Sequence, residues 1–321
     1  MNHSCEPNAV VVFPKHGSSS PPQRCKLHVV ALRDISPGEE VLISYVDLAA
    51  TTAERQRTLR ERYLVECQCG LCMKRDWIDP REAMWCQQKG CVGWVGAPAW
   101  SDADQDTPDI ETGACNLCGR RSRIADPARV CERIEASASL AKRVTNADAD
   151  TRPAGATYSV LREAVHWSSA LFPPSHNISW MLMYAAHVQA IELATLDTDE
   201  AAGLWDDATV MALLLCAGMQ ARGDPRDPRS AIYPPGHPIR AVLLATLGKL
   251  LAHEPGTPPA HMPPVVTRPV SVPQAREPRL KIARAVLVQA LGEARVGFGR
   301  ESDVAAQVRD TLEATDMELG L

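Results

Sequence analysis

Asn2-His3-Ser4-Cys5-Glu6-Pro7-Asn8, then Gly38-Glu39-Glu40-Val41-Leu42-Ile43-Ser44-Tyr45, then Cys67-Gln68-Cys69-Gly70-Leu71-Cys72 are the three stretches, in this order, on which the fold turns. The last supplies three thiolates from one short loop. A closed structural zinc site needs four ligands in a tetrahedron at about 2.3 Å, so a fourth must come from elsewhere in the chain. Around these stretches, residues 8–13 and 25–32 read as strands separated by a Ser- and Pro-rich turn, giving a hairpin. A short apolar strand from Val41 to Tyr45 follows. Thr51-Thr52-Ala53-Glu54 is a capping-box pattern, and Arg55, Leu59 and Tyr63 recur at i, i+4, which predicts a charged helix running to about Leu64.

The order and content of the three stretches resemble the C-terminal half of a SET domain and its post-SET zinc site, as found in SET and MYND (SMYD-like) protein-lysine methyltransferases. The resemblance implies an S-adenosylmethionine-dependent enzyme that methylates a lysine of a histone or another protein. It makes Tyr45 the catalytic residue that orients the lysine amine. It implies that Asn2 and His3 hold the cofactor and that Tyr63 lines the lysine channel. Cys5 then becomes the fourth ligand beside Cys67, Cys69 and Cys72, so that one zinc ion staples two distant segments. Val65 departs from the family pattern, which carries an aromatic against the adenine at that place. The match is strong over residues 2–75 and loose over 126–255. Because the opening stretch lies deep inside the family's domain, the sequence is read as a fragment lacking the N-terminal SET strands and the MYND module. The competing reading is a short relative that no longer methylates.

Composition is consistent with this frame. The chain has 321 residues, a net charge of −5 and a pI near 6.0. It can bury roughly 75% of its unfolded surface, and it lacks the basic excess with which proteins grip nucleic-acid backbones. No unbroken apolar run reaches the roughly 18 residues of a membrane span. The expectation is a protein of the cytoplasm, the nucleus or both, with no membrane association and no direct nucleic-acid contact. Nine of the eleven cysteines fall within the first 118 residues, in groups, which in a reducing compartment favours metal over disulfides. A second group, Cys86, Cys91, Cys115 and Cys118, fits a zinc ribbon, with Gly90 and Gly119 placed for its tight turns. Two zinc ions are therefore expected. Between these pairs, Asp102, Asp104, Asp106, Asp109 and Glu111 predict a solvated loop. Cys25, Cys131 and Cys216 read as small apolar side chains.

From Asp126-Pro127 onward the chain turns Ala- and Leu-rich. Helical periodicity places helices near 127–145, 157–172, 177–196, 199–220, 238–253, 278–295 and 303–319. One apolar stripe is Val130, Ile134, Ala138 and Ala141, and another is Ile178, Met181, Leu182, Ala185, Val188 and Ile191. His176 and His237 precede helices and read as caps. Seven prolines between Pro255 and Pro273 predict an extended linker over 254–277. The fold class expected is α+β: a partial SET β-fold with its zinc loop over 1–78, a zinc-ribbon-like segment over 79–124, and an all-α, TPR-like domain over 125–321. The rival function is a non-catalytic interaction module whose helical array binds a protein partner.

Overall fold

The computed structural model describes residues 1–13, 27–74, 77–98, 109–146, 154–196, 201–221, 231–254, 264–268 and 270–321. Cys25 and the acidic residues Asp102, Asp104 and Asp106 lie outside them. The chain forms two compact units that do not follow the linear division 1–78, 79–124 and 125–321. One comprises Met1–Arg75, Asp224–Glu254 and Pro273–Leu321, and the other Asp76–Gly223 and Pro255–Val272.

In the first unit, β1 (Asn2–His3) pairs in parallel with β4 (Leu42–Ile43), and β2 (Ala9–Val12) pairs antiparallel with β3 (His28–Ala31), Ala9 opposite Ala31. The strand expected over Val41–Tyr45 keeps only two paired residues, since its parallel partner is itself two residues long. What joins the two small sheets is Asn8, buried to 1% exposure. Its side-chain N–H groups donate to the Glu40 carbonyl at 2.8 Å and Glu39 Oε1 at 3.1 Å, while its Oδ1 accepts from the Leu42 N–H at 2.8 Å. A buried amide with this many partners fixes the loop that precedes β4.

Helix α1 (Thr52–Tyr63) begins with the capping box the sequence shows: Thr51 Oγ1 accepts from the Glu54 N–H, and the Glu54 carboxylate accepts from the Thr51 N–H. Such a cap is worth about 1 kcal/mol. The helix stops where Leu64 takes a left-handed conformation with φ of 55°. A single turn, α2 (Gly70–Met73), carries the cysteine loop. Helices α7 (Pro238–Ala252), α8 (Arg276–Gly297) and α9 (Asp303–Leu319) complete the unit. Gly248 lets α7 and α8 approach closely, for a Cβ there would sit 2.5 Å from Leu287 Cδ2. Arg240 and Glu293, both buried, are joined across the same pair at 2.7 Å.

In the second unit, β5 (Ala83–Trp85) with β6 (Trp94–Gly96), and β7 (Asp109–Ala114) with β8 (Arg121–Ala125), form two antiparallel hairpins. Asp109 and Glu111, expected in a solvated loop, stand in β7 and pair diagonally across the ladder with Arg123 at 3.6 Å and Arg121 at 3.1 Å. The pairing of opposite charges on a half-exposed strand outcompetes the loop. Helices α3 (Pro127–Asn146), α4 (Ala154–Leu171), α5 (Asn177–Ala194) and α6 (Ala201–Met219) pack around α5, which meets all three others. The α5 stripe is broader than the periodicity suggests. Leu182 and Ala185 are buried as expected, but so are Ser179, Met183, Ala186, His187, Gln189 and Ala190, while Ile178, Met181, Val188 and Ile191 are only half-buried. A helix with three neighbours buries more than one face.

Helix α6 bears on the reading of the apolar runs, and the reading of the Pro-rich linker changes. Helix α6 is long and apolar enough on average to cross a membrane, although Asp206 and Asp207 break its run. Two-thirds of that stretch is buried within the protein, where Ala208, Met211 and Leu215 have no exposure. The Pro-rich linker is not free in its described second half. Val265, Val266 and Val272 are buried, Ser169 Oγ accepts from the Thr267 N–H at 2.9 Å, and Arg268 lies over the Trp85 ring at 4.4 Å. Helix α8 then starts at Arg276, inside the span assigned to the linker.

Candidate active site and metal centres

The opening heptapeptide and the cysteine loop meet in the first unit. The sulfurs of Cys5, Cys67, Cys69 and Cys72 all lie within 4.8 Å of one another. Cys5 Sγ is 4.0 Å from Cys67 Sγ and 3.6 Å from Cys72 Sγ. Zinc–sulfur bonds of about 2.3 Å set the edge of a tetrahedron at about 3.8 Å, so the donor set fits one zinc ion. Two neighbours enforce the approach. Gln56 of α1 grips Cys67 with both ends of its amide, donating to the Cys67 carbonyl at 2.7 Å and accepting from its N–H at 3.1 Å. Gly70 leaves room for Glu6, whose Oε2 would lie 2.8 Å from a Cβ there.

The electrostatics of the packed thiols point the same way. Hydrogen bonds with Cys69 and Cys72, followed by burial, push the Cys5 thiol far above its ordinary range, whereas hydrogen bonds from Cys5 and Cys72 pull Cys69 far below it. Four sulfurs this close cannot all ionise unless a cation joins them. Arg55, wholly buried on α1, adds positive charge felt at Cys5 and His3. A zinc tetrathiolate is a net anion, and this guanidinium offsets part of that charge.

The second cluster, Cys86, Cys91, Cys115 and Cys118, also holds its sulfurs within 4.8 Å of one another. Cys86 and Cys118 are 3.7 Å apart, and Cys91 and Cys115 3.8 Å. Each hairpin end forms a knuckle. The Gly93 N–H donates to Cys91 Sγ at 3.4 Å, and the Leu117 N–H to Cys115 Sγ at 3.3 Å. Gly90 and Gly119 take the positive φ these turns need, 77° and 70°. A Cβ on Gly93 would come within 2.5 Å of Cys115 Sγ. Burial raises the Cys115 thiol, but hydrogen bonds from the backbone of Cys118 and Leu117 and from the thiols of Cys118 and Cys86 bring it down to about 7. This cluster is built into a core of Met84, Val95, Ile124 and Phe172, to which Val130 and Ile134 of α3 add.

Beside the first cluster stands an aromatic group. Tyr45, just beyond β4, has its ring 5.0 Å from that of Tyr63 at the end of α1 and 5.3 Å from that of His3. Its hydroxyl donates to the Met1 carbonyl at 2.5 Å, and the Tyr63 hydroxyl donates to the Tyr45 carbonyl at 3.4 Å. Asn2 is exposed, and its amide donates to the Glu40 carboxylate. Val65 is 36% exposed. His3 is half-buried. Its Nδ1 accepts from the Tyr45 N–H at 3.0 Å and its Nε2 lies 3.3 Å from Cys5 Sγ, while burial holds its pKa below the ordinary imidazole value. The eight cysteines singled out in sequence thus fall into two clusters, and Tyr45, Tyr63 and His3 into one aromatic group, while the Asn2 side chain turns to Glu40. Asn8, Gln56 and Arg55 were not singled out as site residues. Their signal was weak: polar side chains at places where a strand begins or a helix faces inward.

A cleft of about 290 Å³ opens along the same strand. Ile43, Ser44, Val46 and Asp47 line one side, and Tyr233 and His237 the other. Tyr233 donates to Asp47 Oδ1 at 2.7 Å and ties the segment after Tyr45 to the start of α7. His237 caps α7 and His176 caps α5, each through Nδ1, as the sequence suggests.

The SET domain family matches residues 1–46. Over 75 residues the chain is 44% identical to the mouse (Mus musculus) protein-lysine N-trimethyltransferase SMYD5, a span covering 22% of this chain and 16% of that protein. Over 76 residues it is 41% identical to the human (Homo sapiens) histone-lysine N-methyltransferase SMYD3, covering 24% and 16%. Over 72 residues it is 42% identical to the Arabidopsis thaliana histone-lysine N-methyltransferase ASHR1, covering 22% and 13%. The chain therefore matches about a sixth or less of the length of these relatives. The family's matched residues include Asn2, His3, Cys5 and Tyr45, and the chain thus carries a SET-domain segment similar to SMYD-type proteins.

Proposed function

We propose that the chain carries the tyrosine side of an S-adenosylmethionine-dependent protein-lysine methyltransferase site, and that zinc holds that side in shape. The observation that supports this best is the junction of Tyr45, Tyr63 and His3 with four convergent cysteines. Asn2 and His3 are the residues proposed to hold the cofactor, and the exposed amide of Asn2 beside part-exposed aromatic rings suits a nucleoside bearing a charged tail. S-adenosylmethionine supplies the methyl group on a sulfonium.

The chain's own residues have two tasks. A lysine amine starts near pKa 10.4 and must be neutral to act as a nucleophile, and a site walled by Tyr45 and Tyr63 disfavours the ammonium. The Tyr45 hydroxyl then orients the amine, which is alignment rather than acid–base work. The cleft along Ile43, Ser44 and Asp47 offers a place for an extended protein substrate such as a histone tail, and the TPR-like reading of the helices would add a partner surface.

Calorimetric titration of the zinc-loaded protein with S-adenosylmethionine, followed by methyl transfer to lysine peptides, tests this. Saturable binding that Asn2→Ala weakens is expected, with Tyr45→Phe lowering transfer by about 10²-fold at nearly unchanged cofactor affinity. An unchanged rate in Tyr45→Phe removes its role. Absence of cofactor binding would leave the interaction module as the better reading.

A further inference from the structure

We propose that His3 is a positioning residue whose imidazole, fixed in one tautomer, ties the Tyr45 backbone to a ligand of the first metal centre. The functional value of this link rests on the reading of Tyr45 as the residue that orients the lysine amine; the link itself rests on geometry.

The parallel pairing of β1 with β4 ends at His3 opposite Ile43, and the Ser4 N–H takes the Ile43 carbonyl at 2.9 Å. Two residues further on, the ladder offers Tyr45 no acceptor. Its amide N–H, part-buried, would be left without a partner at a cost of about 1–3 kcal/mol. The His3 ring takes it, with Nδ1 at 3.0 Å. An amide N–H can only donate, so Nδ1 must carry a lone pair, and the proton of the neutral ring sits on Nε2. That nitrogen is 3.3 Å from Cys5 Sγ. The four cysteines already complete the tetrahedron, so the imidazole is not a ligand. A metal-bound thiolate is an acceptor only, so the Nε2–H donates to it, and the charge on sulfur strengthens the bond.

Both ring nitrogens are thus committed within the protein, which leaves the His3 backbone for the cofactor. Outer partners of a metal site ordinarily orient the ligands; here the influence also runs outward, because the thiolate fixes the far end of the ring that holds Tyr45. Loading of the first centre should therefore be felt at the Tyr45 amide.

The test uses two substitutions that divide the ring's contacts. His3→Asn keeps an acceptor near the Nδ1 position and loses the donor to sulfur; His3→Gln keeps a donor near Nε2 and loses the acceptor. In the zinc-loaded protein, ¹⁵N-histidine spectra should show His3 as the Nε2–H tautomer; finding Nδ1–H overturns the proposal. In the cobalt-substituted protein, His3→Asn should move the sulfur-to-cobalt charge-transfer band to longer wavelength, and His3→Gln should leave it in place. The Tyr45 amide resonance should move in His3→Gln and stay in His3→Asn. The opposite pattern, or no shift in either variant, refutes the link. Metal content reports whether each variant folds, and if either does not, the tautomer of the unsubstituted protein decides. No readout involves cofactor or methyl transfer, so failure of the methyltransferase reading leaves this result standing, and failure here leaves that reading untouched.

Discussion

Replacing Cys5 by Ser should uncouple the opening heptapeptide from the cysteine loop, and the size of the effect follows from the chain between them. Cys5 and Cys67 are 62 positions apart, and their sulfurs are 4.0 Å from each other. A covalent or metal cross-link closing a loop of that length removes about 4 kcal/mol of chain entropy from the unfolded state. The three thiolates of Cys67, Cys69 and Cys72 come from one loop and can still hold zinc with a solvent ligand, so the variant loses the cross-link before it loses all metal. For a unit of this size, about 4 kcal/mol lowers the melting temperature by on the order of 10 °C. Calorimetry of the zinc-loaded variant reads the shift, and a chromophoric chelator reads the weakened zinc. Amide exchange should rise over residues 2–8. Cys91→Ser is the control that should leave exchange over 2–8 as it was. A Cys5→Ser protein that melts within 2 °C of the original (less than about 1 kcal/mol) and releases zinc no faster would refute the stapling argument.

Three other outcomes are expected. Asn8→Ala removes the side-chain partner of the part-buried Leu42 N–H and of the Glu40 carbonyl and should cost about 1–3 kcal/mol by urea denaturation, whereas no measurable loss contradicts its place at the junction of the sheets. Truncating Arg240 to Ala leaves the buried Glu293 carboxylate with the Gly236 N–H but no countercharge and should cost about 3–5 kcal/mol; the double replacement Arg240→Met, Glu293→Leu should recover only part of it, because the Gly236 N–H then loses its acceptor. Burial lowers His176 to about 3 and His237 to about 4. The unfolded chain therefore binds more protons than the folded one below the ordinary value of 6.5, so stability is full above pH 6.5 and falls as pH drops toward 4, by up to about 1.4 kcal/mol per pH unit for each histidine. His176→Asn, which keeps a cap on α5, should flatten that slope in pH-dependent denaturation, and an unchanged slope would mean that other groups carry it.

The residues that carry metal chemistry were legible because their spacing is local. Cys67, Cys69 and Cys72 lie within six positions, and Cys115 and Cys118 within four, so each group announces a knuckle before any fold is known. The helices were legible too, since caps such as Thr51, His176 and His237 sit where side-chain chemistry demands them. Less visible was anything decided by long-range company. Asn8 looks like an ordinary polar residue until Glu40 and Leu42 arrive from more than thirty positions away. The breadth of the buried face on α5 depends on how many helices surround it, which no periodicity records. The Pro-rich segment looks free because prolines cannot pair in a sheet, yet Val265, Val266 and Val272 find an apolar surface that the sequence around them does not disclose.

The two cysteine clusters share a donor set and differ in what they hold. In the second, Cys86 and Cys115 already sit inside a core of Met84, Val95, Ile124 and Phe172, and both hairpins bring their own ladders, so the metal fastens parts that packing has brought together. In the first, the elements that meet at the metal are a two-residue strand, a single helical turn and one end of α1, none of which buries enough apolar surface to stay in place alone. There the sulfur cross-link stands in for a core, and the segment it holds carries Asn2, His3 and, through the imidazole, Tyr45. An ion that would be a structural convenience in one unit would be, in the other, what holds the aromatic group in place. Gradual chelation should therefore disorder residues 2–8 and 64–73 while β5–β8 keep their amide protection; simultaneous loss of both would mean that the second core is weaker than its buried residues imply.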